Sequence, residues 1–212
     1  MSSLWTRTHF RMGIGFLTVL ALPPVRSALE AGLVSHMLLQ IPLLAYGGWL
    51  IGATTRNMVG NTLEDWDRHG VTGFVLAVCI ALFWMLPRSI ETSLEAPGHE
   101  LAKFLSVPLA GFALACSYPR APVLLRGLLL SHVVSMFGVL AWTFLAAPIR
   151  LCISYLASEQ VTAGYVLLAT GLVLSTYWGV QLLIYGNPAL TLPRVKTMDQ
   201  QVAPCEVVHG CR

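Results

Sequence analysis

Apolar runs of bilayer length recur along almost the whole chain, and that repetition limits what it can fold into. A transmembrane helix needs near 20 largely apolar residues. Runs of that kind fall at about 8–25, 28–54, 70–86, 99–118, 122–150 and 162–185, the first being short and the weakest of them. Of the 212 residues, 56% are hydrophobic and only 11% charged, against about 25% charged in an ordinary soluble domain. Too few charges are present to build a hydrated shell, so lipid must replace water around much of the surface. The expected fold is all-α: a polytopic transmembrane helix bundle of about six transmembrane helices, forming one domain over 1–186 with a polar C-terminal tail over 187–212. Pro42, Pro108 and Pro148 lie in or near the ends of these runs, where each removes a backbone donor and kinks or ends a helix.

Arg7 and Arg11 ahead of the apolar stretch 12–22 resemble the opening of a secretory signal. Pro23-Pro24 ends that stretch and no Ala-x-Ala site follows, so a retained first helix is expected. With the N-terminus in the cytoplasm, Arg7, Arg11, Arg56, Arg68, Arg120, Arg126, Arg194, Lys196 and Arg212 fall inside. Only Arg26, Arg88, Lys103 and Arg150 fall outside. That bias favours N-in, C-in, and the bacterial inner (plasma) membrane is the expected location. The connections 56–69 and 87–98 are read as short polar loops. The net charge of +3 comes from scattered residues, with no basic stripe interleaved with aromatics, so a nucleic-acid partner is not expected.

Ionisable groups inside a span are costly and therefore point to function. His36 lies in the second run with Gln40 one helical turn on. His99 and Glu100 open the fourth, also on the outer side, and Arg26 and Glu30 are spaced to pair across one turn. Met37 and Met85 lie toward the same side. Imidazole and thioether suit copper and other late transition metals, so His36, His99, Met37 and Met85 form a candidate metal site, with Gln40 and Glu100 as supporting groups. The plainer account has His36 hydrogen-bonded to a neighbouring helix and His99 capping one. His132 and Met136 share a helix face and are a weaker pair, for a metal or a haem iron; helix packing explains them as well. Cys205, His209 and Cys211 gather three soft ligands in the tail without a zinc-like spacing. Five cysteines occur; Cys79 and Cys116 read as small core residues. The tryptophans read as an interfacial belt, and Gly47, Gly48, Gly111 and Gly127 as sites of close helix contact. No nucleophile elbow, phosphate loop or dinucleotide fingerprint is present, and the chain is not expected to be an enzyme.

Three segments, in order, resemble the CtaG-type family of integral-membrane cytochrome c oxidase assembly factors. The first is Ser35-His36-Met37-Leu38-Leu39-Gln40 followed by Pro42-Leu43-Leu44, similar to the family's His-Met-x-x-His and Pro-Leu-Leu pattern. The second is Trp84-Met85-Leu86-Pro87 leading to His99-Glu100. The third is Glu159-Gln160-Val161-Thr162-Ala163-Gly164, similar to Asp-Gln-x-x-Ala-Gly. Gln40 stands where the family has its second histidine, and Glu159 where it has aspartate. The resemblance implies a membrane copper-handling protein that assists maturation of a haem–copper oxidase or similar membrane metalloenzyme. The alternative is a permanent accessory or structural subunit of a larger membrane oxidase or monooxygenase complex, with a degenerate metal site. Copper is the cofactor implied, haem the less expected one, and the partners are the lipid bilayer and the subunits of such a complex.

Overall fold

A computed structural model describes residues 2–63, 67, 69–147 and 154–184. All regular structure among them is helical. In chain order the elements are α1 (Ser2–Ala21), α2 (Pro23–Glu30), α3 (Leu33–Ser35), a π-helical turn (His36–Gln40), α4 (Ile41–Leu63), α5 (Val71–Met85), α6 (Pro87–Glu95), α7 (Pro97–Ser117), α8 (Val123–Ala146) and α9 (Ala157–Ile184). Four helical stretches are long and apolar enough to cross a membrane: Leu33–Thr55, Pro97–Ser117, Val123–Ala146 and Ala157–Val180. Two bent pairs, α1 with α2 and α5 with α6, raise the number to as many as six.

The bends share one local cause. Leu22 and Leu86 each precede a proline, whose Cδ disfavours helical ψ in the residue before it. Both leucines are accordingly extended, at ψ 134° and 133°. Each proline then starts a new helix, where its missing N–H costs nothing, and the axis turns by 68° at Leu22 and 73° at Leu86. The first run therefore ends as a helix at Ala21, and the second begins at Leu33, after a break at Ala31 and Gly32. The stretch 87–98, expected as a loop, is mostly the helix α6. Its polar face conceals an inner one: Ser89, Ile90 and Ser93 are buried. The last helix starts earlier than expected, which puts Glu159 and Gln160 inside its first turn.

Parallel α4 and α7 form the most extensive contact among the described residues, flanked by α1 on α4 and α5 on α7. Small residues set the distance: a Cβ on Gly48 would overlap the Pro108 carbonyl, one on Gly111 the Ala45 carbonyl, and one on Gly52 would stand 2.6 Å from the Phe112 oxygen. Gly47 seats Leu17 of α1 in the same way, whereas Gly127 faces open space and brings no helix close. Trp84 is buried and donates to Ser106 Oγ at 2.7 Å. It ties α5 to α7 and does not belong to an interfacial belt. Cys116 is buried but Cys79 points outward from α5, so only the first is a core residue. The α8–α9 hairpin packs mainly on itself and leaves wide apolar faces open; Trp142 is 75% exposed.

Candidate functional site

The ends of α2, α7 and α9 meet beside the π turn, and there, among the described residues, a set of polar side chains is buried together. A π turn inserts one residue into an α-helix and often marks a functional position. Here it buries His36, Met37 and Gln40 together. Lys103, in the second turn of α7, is fully buried with them. Its ammonium donates to Glu30 Oε1 at 2.7 Å and to Gln40 Oε1 at 3.3 Å, and Gln40 Nε2 donates to the same Glu30 oxygen at 2.9 Å. One carboxylate oxygen, one amide and one ammonium thus close a triangle between α2, the π turn and α7. Arg26 extends it outward, bridging to Glu100 and standing 3.8 Å from Glu30. Two acids and two bases make the group formally neutral, which is what lets four charges sit together in an apolar surrounding.

Tyr155, just ahead of α9, completes the cluster from the far side of the sequence. Its hydroxyl donates to the Glu30 carbonyl at 2.9 Å and lies 3.3 Å from His36 Nδ1. A phenol has one hydrogen. With that hydrogen committed to Glu30, the network assigns the proton of a neutral imidazole to Nδ1, donating to the Tyr155 oxygen. Nε2 is then a bare lone pair. It is fully buried and has no hydrogen-bond partner among the described residues.

The residues expected to ligate metal are distributed unevenly. His36 is fully buried, while His99 is exposed in the first turn of α7. Met37 and Met85 both lie in the main apolar cluster. Gln40 turns to Glu30 and Lys103, and Glu100 to Arg26, so neither supports an imidazole. His132 and Met136 are half-buried on α8, with His132 Nε2 also lacking a partner among the described residues. Cys205, His209 and Cys211 lie outside the described residues. Among the described residues no three of His, Cys, Asp and Glu gather as a metal-binding group. Lys103, which organises the cluster, enters the sequence reading only as one more positive charge. The signal that could have found it is its setting: a lysine flanked by Leu101, Ala102, Phe104 and Leu105, three residues after Glu100.

A second polar group closes the opposite end of α7. Asp67 accepts from the Ser117 hydroxyl and from the Thr72 amide at 3.0 Å, with Arg120 3.8 Å away. Between the two groups α7 is lined by Val107, Ala110 and Gly111, which offer no side-chain donor or acceptor to link them. No family model, curated protein or solved structure matches this chain.

Proposed function

We propose that the chain is a non-catalytic accessory protein of a membrane complex of the haem–copper oxidase kind, with an altered metal position. One observation carries the reading: the Lys103 ammonium is bonded to Gln40, the residue that replaces the second histidine of the His-Met-x-x-His pattern. A fixed cation beside that position repels a metal ion and compensates Glu30 without one. The link to an oxidase rests on the three resembling segments. The open apolar faces of α8 and α9 suit lipid and partner helices. On this reading six crossings hold the chain in the bacterial inner membrane with both ends in the cytoplasm. The connections holding α2, α6 and Tyr155 then share the outer side, which suits the bond from Tyr155 to the Glu30 carbonyl.

A second reading, copper handling by the chain itself, is favoured by the bare Nε2 of His36 with Met37 buried in the same turn, since nitrogen and thioether suit Cu(I). Purification from native membranes in mild detergent, with Cu(I) competition titrations, separates the two. An accessory protein remains in stoichiometric association with a larger complex, and wild type and His36→Ala hold Cu(I) equally. One equivalent of Cu(I) retained by wild type and lost in His36→Ala, with the chain running alone, would overturn the accessory reading in favour of the second.

A further inference from the structure

We propose that α2 is a hinged lid over the His36 imidazole, latched to α7 by ion pairs. Four observations converge on it. The helix is bounded by two breaks in which the backbone has already left the helical region: Leu22 before Pro23, and Gly32 at φ −129°, ψ 146°. A swing of α2 therefore needs changes at a few non-helical residues and unwinds no span, as hinge motions do. None of its eight residues is buried; Val25 and Leu29 reach the core only in part. What holds it down is polar: Arg26 to Glu100, Glu30 to Lys103 and Gln40, and the Glu30 carbonyl to Tyr155. Finally, α2 packs against the π turn, so the same contacts that seat the lid keep His36 enclosed.

The two states are opposed by different groups. The ion pairs favour the closed one. The unpartnered Nε2 favours opening, because a buried acceptor without a donor has lost its hydration for nothing. An open lid would let that lone pair meet a hydrogen-bond donor or a soft cation arriving from the outer side. The inference does not depend on the oxidase reading, since it concerns access alone.

Carbethoxylation of the full chain in lipid nanodiscs by diethyl pyrocarbonate tests it, because the reagent needs an unprotonated imidazole nitrogen. Peptide mass spectrometry follows His36, with exposed His99 as the internal reference. In Arg26→Gln/Glu100→Gln the latch is neutral, and His36 should react about fivefold faster than in wild type, the factor set by losing one partly exposed ion pair. In Arg26→Cys/Glu100→Cys, oxidation should suppress the reaction at His36 and reduction restore it, a comparison within one protein that does not depend on the first variant folding. An unchanged His36 rate in the neutral variant, or equal rates in the oxidised and reduced cysteine pair, would overturn the lid.

Discussion

Lys103→Met should destabilise the bundle by about 3–5 kcal/mol, the usual cost of removing one partner from a buried ion pair. The substitution keeps the length and most of the volume of the side chain, so lost packing is a minor part. What remains is the Glu30 carboxylate, only 13% exposed, with Gln40 as its one neutral donor inside the triangle. Most of the Coulombic compensation is gone, since Arg26 stands at 3.8 Å, is partly exposed and is shared with Glu100, while the desolvation remains. Glu30→Gln made alone should also be costly, because it strands the fully buried ammonium. The double variant Lys103→Met/Glu30→Gln should recover most of either loss, since two neutral side chains need no compensation. A double-mutant cycle, read from unfolding in mixed micelles by circular dichroism, gives the coupling directly. A single-variant cost below about 1 kcal/mol, the level of a solvent-screened surface pair, would mean that water reaches the triangle and that the cluster is not the pin of the fold.

How far the chain can be read without its structure depends on how local each cause is. The apolar runs and the two Leu-Pro steps act within a few residues, and the positions of most spans and both bends follow from them. The helix α6 escapes because its inner face sets only Ile90 and Leu94 beside Ser89 and Ser93, too few apolar side chains to show a period. The π turn escapes for another reason. One extra residue between Ser35 and Ile41 is stabilised by what it buries, and His36 finds its partner in Tyr155, 119 positions away. Lys103 is legible in the sequence: a charge inside a span signals function whatever its contribution to the sidedness of the loops. As an outer-side charge Lys103 gives no hint of the cluster, and Gln40 and Glu100 then read as support for a metal, although their partners are Lys103, Glu30 and Arg26.

The second large effect is expected from a single methyl group. Gly111→Ala puts a Cβ into the space of the Ala45 carbonyl, and Gly48→Ala does the same to that of Pro108. Inserting a methyl into a packed core costs about 1–3 kcal/mol when side chains can give way. Here the obstacle is backbone on both sides, so relief requires moving α4 from α7 along their longest contact. A loss at the top of that range, or failure to fold, is expected for each. The same displacement would pull Lys103 away from the π turn, because α7 carries the lysine and the chain entering α4 carries Gln40. Gly127→Ala supplies the contrast. Nothing lies within 4 Å of its Cβ position, so only the conformational preference of alanine for a helix remains, worth up to about 1 kcal/mol of added stability. Opposite signs for the same chemical change, measured in one detergent by thermal unfolding, would locate the tight seam between α4 and α7. Equal and small effects at Gly48, Gly111 and Gly127 would mean that the two helices are not in backbone contact at all.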